Sequence, residues 1–542
     1  MNKRRLICGV VGLVLCLALF AGGCAGGKSQ APQKEKALYV HLYMKPAGLN
    51  PISSSGQGQD RHVLNSIYNN LVRLSDKYEV VPDLCERYEV SPDAKVFTFY
   101  LPKNAKWHDG KPVTADDVVF TFNVMLNPKS GSWLVGKLSE IKGSADYKEG
   151  KSSAVAGVTK VDDYTVRVEL EKPDVGFLAL AIPDMYILPK HVLESASLDQ
   201  LGNAQTFRDK MIGSGPYKFV KYETDQYVEV VKNPDYWRGK PKLDRVFFKV
   251  LTTDVAVAQM EKGEIDIAKI SATDAGRLAA LPHVQVLSVP GAGIFQMGFN
   301  LQQPYLQDKR IRQAFAYAID REGILKTVLQ GHGRVVNSPI IGPEWAVNPN
   351  LNPYKYDPEK ARQLLKEARW DTNRKLVWIY IPGIRDRDAA YPVMQQQLKE
   401  AGINVEFKPV EAAVFAKMYL AGTTDWDLAS FGGGVYGAEP HVSSQYYLSW
   451  NHTPKGANGT HYVNPRIDDL YMQGCATPDR ATRQQIYYEI ASILNEDMPT
   501  VFFWANNEIW AVNKRVAGCK PPGTVHTFGW DVFDWGIVEQ GK

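Results

Sequence analysis

The densest cluster of chemically capable side chains lies in Trp107–Phe122, WHDGKPVTADDVVFTF, where His108, Asp109, Asp116 and Asp117 fall within ten residues. Such a set could ligate a metal or run general acid–base chemistry. Local physics gives most of it structural work instead. Asp109-Gly110 is a turn signal, because glycine accepts positive φ and aspartate bonds nearby backbone. Thr114 reads as a helix N-cap with Asp117 at the capping-box position, and Val113 and Val118 stand where a hydrophobic staple would close around it. Asp116 and Asp117 then sit in a first helical turn, where the helix dipole favours negative charge. Only His108 is left without a local task. The segment predicts a turn and a capped helix, and no metal site.

Two further patterns could hold phosphate or metal. Gly22–Ser29, GGCAGGKS, fits the phosphate-loop spacing G-x-x-x-x-G-K-S. That loop works only between a strand and a helix, whereas this stretch follows an apolar run and opens a Pro/Gln/Lys segment, so the match is fortuitous. His441, His452 and His461 share one polar loop, which reads as an exposed loop rather than a metal centre. No G-x-S-x-G, H-E-x-x-H or kinase pattern occurs, and no cofactor is called for. A secreted peptidase is therefore disfavoured.

The N-terminus sets the compartment. Lys3, Arg4 and Arg5 precede the uncharged Leu6–Phe20, too short for an ordinary membrane span. The run ends in AGGC, Ala21–Cys24, small residues before a cysteine, so residues 1–23 read as a lipoprotein signal peptide with Cys24 as the acylated first residue. Residues 24–36 form a polar tether. The 63 basic residues lose three with the signal and the 59 acidic ones lose none, which leaves 60 against 59, or +1. Nucleic acid is not expected as a partner, since its binders carry a basic excess. Cys85, Cys475 and Cys519 form no CxxC pair and read as buried or idle thiols.

The elements that must position any site alternate between strand and helix, at a length that suggests about three domains. Val96–Pro102 and Tyr164–Leu170 alternate in polarity as half-buried strands do. Asp244–Leu251, a helix over about Asp254–Lys262 closed by Gly263, and Glu264–Ile270 form one strand–helix–strand unit. Lys375–Pro382, a helix near Tyr391–Ala401 with Pro392 at its start, Ile403–Val410, a further helix and the strand WDLASF form a second. Tyr356–Ala368 is a surface helix with Asp357 as N-cap. The β-α-β-α-β order predicts an α/β lobe with parallel strands. Gly432–Gly434 follow the last strand, at the sheet edge where α/β proteins bind ligands. Glycines there would let an extended peptide approach closely.

At family level the chain resembles the extracellular solute-binding proteins of family 5, the oligopeptide/dipeptide/nickel-type receptors of ABC importers. SPDAKVFTFYLPKNAKWHDGKPVTADDVVFTF, GSGPYKF (Gly213–Phe219), NPDYWRGKPKLDRV (Asn233–Val246), GEIDI (Gly263–Ile267), RIRQAFAYAIDREGI (Arg310–Ile324), YDPEKARQLLKEA and ILNEDMPTVFF (Ile493–Phe503) match the family in order, across about Leu38–Gly518. The resemblance implies an α/β, type II periplasmic-binding-protein fold with two ligand-enclosing lobes and an extra small α+β lobe. Lobe I would comprise 37–80, 205–297 and 505–542, lobe II 81–204 and lobe III 298–504, with a hinge near Phe299-Asn300 and Trp504–Asn506. A small solute, with a short peptide as leading candidate, would be captured by closure of lobes I and III. A nickel chelate or an oligosaccharide is the alternative.

The resemblance further implies a monomer on the extracytoplasmic face, held to the membrane by its lipid and serving a permease pair with its ATPases. Following Leu49-Asn50-Pro51, it puts Ser55, Gly56 and Gln57 at the cleft, opposite Phe431, Gly432, Gly433 and Gly434. The aspartate with which peptide-binding relatives hold a ligand ammonium falls on Tyr436 here, so that either Glu439 substitutes for it or the ligand carries no free ammonium at that place.

Overall fold

Asp117 shows how local chemistry fixes an element. Its carboxylate accepts the Thr114 backbone N–H at 2.9 Å, the Lys190 N–H at 2.9 Å and the Trp107 indole N–H at 3.3 Å. It thereby ties the start of helix Ala115–Leu126 to two other segments. Val113 and Val118 are both fully buried beneath that cap. His108 also has structural work: Nδ1 accepts the Gly213 N–H at 3.2 Å and Nε2 pairs with Gly215 O at 3.1 Å. Asp109 meets His191 at 2.7 Å and Asp116 meets Lys160 at 2.7 Å. The opening cluster is scaffold.

The computed structural model describes residues 35–53, 59–202, 207, 211–434, 438–521, 523 and 531–538. Residues 36–542 belong to one compact unit. Its helices pack on an eleven-stranded mixed sheet. The strand order is Asn404–Pro409, Lys375–Tyr380, Leu428–Gly434, Val284–Phe299, Thr500–Asn513, Ile267–Lys269, Ala37–Leu42, Arg245–Val250, Tyr227–Lys232 and Tyr217–Glu223, and Gly333–Val335 pairs with Thr500–Asn513 off this path. The expected parallel lobe is present: Lys375–Tyr380 runs parallel to both Asn404–Pro409 and Leu428–Gly434. Val284–Phe299 and Thr500–Asn513 are the two long central strands. They pair antiparallel along most of their length, and their register breaks between Pro290 and Ile294.

Separate apolar cores flank the sheet. One, around Val40, Val230 and Phe248, packs at the end of the sheet formed by Ala37–Leu42, Arg245–Val250 and Tyr227–Lys232; another, around Trp378, Phe315 and Phe503, packs toward the end that carries Lys375–Tyr380. A third core, around Phe97, Phe122 and Val168, belongs to a small four-stranded antiparallel sheet of order Arg87–Val90, Val96–Tyr100, Thr165–Glu169, Val158–Asp162.

Two expectations are corrected. The helix expected from Tyr391 begins at Arg385 and runs to Glu400, so Pro392 lies inside it rather than at its start. Asp386 and Asp388 in the first turn supply the favourable dipole interaction that the proline position had suggested elsewhere. Gly432–Gly434 do not follow a strand; they are its last residues, paired with Phe295, Ile294 and Gly293. An antiparallel partner, remote in sequence, extends that strand.

Candidate functional site

The glycine-ended strand Leu428–Gly434 is paired unevenly along its two edges. Toward Val284–Phe299 it pairs throughout. Toward Lys375–Tyr380 the pairing stops at Ile379↔Ala429. Among the described strands none pairs with Ser430–Gly434 on that side, which leaves a run of main-chain donors and acceptors at the carboxyl ends of parallel strands. Open α/β sheets bind ligands at such ends, and unpaired strand edges accept an added extended segment. Ser430 is held by the buried Trp378 indole, whose N–H donates to Ser430 Oγ at 2.7 Å.

Nearby lies a cavity of about 1300 Å³. Its walls come from three parts of the chain: Asp76–Val80 with Val289–Ala292; Arg334, Ile341–Trp345, Ala438, Glu439, Arg480 and Arg483; and Val90, Val175 and Leu178 beside the four-stranded sheet. Glu439 borders the cavity. Its carboxylate, however, is already engaged. It is buried, accepts from Arg483 Nη2 at 2.5 Å and from the His441 N–H at 3.1 Å, and caps the short helix Pro440–Tyr446. Arg483 Nε donates in turn to Gly474 O at 2.8 Å. Burial pushes the Glu439 carboxyl up and the Arg483 guanidinium opposes that rise. Such a pair fixes geometry, and removing one partner would strand a buried charge.

Ser55, Gly56, Gln57 and Tyr436 lie outside the described residues. Phe431–Gly434 lie in the strand as paired backbone. Sequence reasoning missed two arginines with buried nitrogens unpartnered among the described residues, and one of the two, Arg334, lines the cavity. Arg334 donates from Nη2 to Ile341 O at 3.4 Å, while its Nη1 is buried with no partner among the described residues. The Arg387 guanidinium lies 5.0 Å from the Phe295 ring centroid, with Nε likewise unpartnered. Burial pulls both guanidinium groups below their ordinary range. Nothing in the local sequence marks either one.

The histidine loop does not assemble a metal centre among the described residues. The His452 and His461 rings lie 5.0 Å apart, tilted to one another, but each ring is tied locally, to Tyr462 O at 3.1 Å and to Thr453 Oγ1 at 3.2 Å. Cys85, Cys475 and Cys519 are free thiols. No helix among the described residues is long and apolar enough to cross a membrane.

Comparison with known proteins agrees with this geometry. The chain is 29% identical to the oligopeptide-binding protein AppA of Bacillus subtilis, over 96% of this chain and 97% of that protein. The structure is similar to that of the ABC transporter substrate-binding protein CtaP of Listeria monocytogenes, with TM-score 0.81, 28% identity and coverage of 94% and 100%. It is also similar to NikZ of Campylobacter jejuni in complex with Ni(L-His), with TM-score 0.75, 26% identity and coverage of 92% and 99%. Residues 79–456 match the middle region that defines one bacterial group, and the chain belongs to that group, the bacterial extracellular solute-binding proteins of family 5.

Proposed function

We propose that this protein is the capture component of an ABC importer and that its solute is a short peptide. The observation that carries the reading is the half-paired strand Ser430–Gly434 near a cavity of about 1300 Å³. A peptide laid along that edge would gain main-chain hydrogen bonds whatever its side chains, which suits a receptor for varied peptides. Arg334, which lines the cavity, would offer a donor to a ligand carboxylate. The resemblance to AppA, whose structure was solved in complex with a nonapeptide, supports the same ligand class. The protein acts as a binder, as its membership of a solute-binding family supports.

In this reading 37–80, 205–297 and 505–542 form one ligand-enclosing lobe, 298–504 the other and 81–204 the extra small lobe. The chain would flex near Phe299-Asn300 and Trp504–Asn506, where it crosses between these lobes. The chain works as a monomer, tethered by residues 24–36 to a lipid on Cys24 after loss of residues 1–23, and delivers its solute to a permease pair driven by ATPases. Cys24→Ser should then release it from the membrane fraction; retention at the wild-type level would contradict the anchor.

The test of the ligand is calorimetric titration of protein that has been unfolded and refolded to strip bound solute. A mixed pool of tri- to pentapeptides should release or absorb heat, with micromolar or tighter affinity. Heat from a nickel–histidine chelate or an oligosaccharide mixture, and none from peptides, would overturn the peptide reading while keeping the cavity.

A further inference from the structure

The part of the cavity wall beside the four-stranded sheet is largely apolar, and the same cavity carries a tryptophan that is fixed in place. Val90 ends the edge strand Arg87–Val90 and is 42% exposed, although it lines the cavity. Val175 and Leu178 line it from the turn and short helix at Gly176–Leu180. Ile341, Pro343 and Trp345 line the same cavity. The Trp345 ring is held between charged and aromatic neighbours: the Arg480 and Arg483 guanidiniums each lie 5.4 Å from its centroid and Tyr487 meets it edge-on at 6.2 Å. Gln484 Nε2 donates to Trp345 O at 2.7 Å. The Val175 N–H donates to Cys475 O at 3.1 Å.

Resting on the peptide reading above, we infer that these six residues form an apolar side-chain subsite, and that the extra small body reads the ligand. The occupant is a leucine- or phenylalanine-like side chain of the bound solute. The subsite is continuous with the crevice, because Ala438 and Glu439, which line the same cavity, follow shortly after the strand Leu428–Gly434. A solute lying on that strand could therefore send a side chain among these residues. The Trp345 wall is held by neighbours of its own before the ligand arrives, so little ordering cost opposes binding on that side. Burying one large apolar side chain there favours such ligands about 10-fold or more over polar ones.

Two stripped-protein titrations test this. One uses pentapeptides carrying a central Leu, Phe or Trp; the other uses pentapeptides of Gly, Ser and Thr only. The wild type should prefer the first pool about 10-fold or more. Val90→Asp and Trp345→Ser should each bring the ratio between pools close to one, and Val90→Asp changes only an exposed side chain, so it should still fold. No preference in the wild type, or a preference that survives in both variants, overturns the subsite. If neither pool binds, the peptide reading fails, and the subsite is read with anilinonaphthalene sulfonate. Blue-shifted dye emission on the wild type that falls in both variants supports it; equal emission from all three overturns it.

Discussion

His108 illustrates how a residue that could do chemistry is disarmed by its surroundings. Nδ1 accepts a backbone N–H, so Nε2 carries the proton and donates to Gly215 O. Burial pulls the imidazole down to about 4, and Lys218 pushes the same way. An unfolded chain takes up that proton near pH 6.5, whereas the folded one does so only near pH 4. The unfolded state therefore binds more protons between these values, and stability must fall as pH drops from 6.5 toward 4. For a half-buried ring the contribution is about 1–2 kcal/mol. His108→Gln keeps a donor and an acceptor without the titration. Its unfolding free energy, measured by urea melts from pH 4 to 7, should vary less with pH than the wild type by about that amount; parallel curves would show that His108 does not titrate in this way. Asp117 carries the larger structural load. Asp117→Ala strands three donors and should cost about 2–4 kcal/mol, against about 1 kcal/mol for Thr114→Ala. Equal losses in the same melts would mean that the carboxylate does no more than cap its helix.

At the level of elements, what could be read from the sequence depended on how far apart the partners lie. The Thr114–Asp117 cap, the Asp357 N-cap and the Gly263 terminus are bonds between residues a few positions apart, and all were readable. Pro392 misled because a proline at a helix start and one inside a helix look alike until packing is known. Glu439 looked available to a ligand ammonium, since its neighbours in sequence offer no partner; Arg483, 44 residues on, takes its charge. The glycine strand was recognisable as a close-approach element, but its antiparallel partner Val284–Phe299 lies more than a hundred residues upstream. That partner changes what a substitution should do. Gly433 is paired opposite Ile294 and a β-branched residue suits a strand, so Gly433→Val should fold. The added side chain should still obstruct a backbone arriving at the unpaired edge. Affinity for the peptide pool is expected to drop at least 10-fold with the melting temperature within a few degrees of wild type. Unchanged affinity would remove this strand from the site.

Over the whole molecule, the long strands Val284–Phe299 and Thr500–Asn513 join the two ends of the sheet, and a second contact crosses between bodies remote in sequence. The turn at Asp174–Gly176, beside the four-stranded sheet, meets Cys475 near the end of helix Pro465–Ala476: the Val175 N–H donates to Cys475 O at 3.1 Å and the Cys475 thiol donates to Asp174 Oδ1 at 3.1 Å. Gly176 is there for want of space, as a Cβ would come within 3.0 Å of the Glu439 side chain. This contact flanks the cavity that Val175 helps to line. If the bodies part and close about the strand pair, the contact must break when the cavity opens and re-form when it shuts. Cys475 reports on that cycle. Docked, its thiol is pushed up by burial and by the neighbouring Asp174 carboxylate, so little reactive thiolate forms. Undocked, both influences are removed. Maleimide modification of Cys475, followed by peptide mass mapping to separate it from Cys85 and Cys519, should slow at least 10-fold when stripped protein is loaded with the peptide pool. Asp174→Ala should raise the rate in the loaded state, because the thiol loses its acceptor and the closed contact one of its two bonds. Equal modification rates with and without peptide, in protein that calorimetry shows to be binding, would mean that the Asp174–Cys475 contact persists throughout and that solute capture proceeds without separating these two bodies.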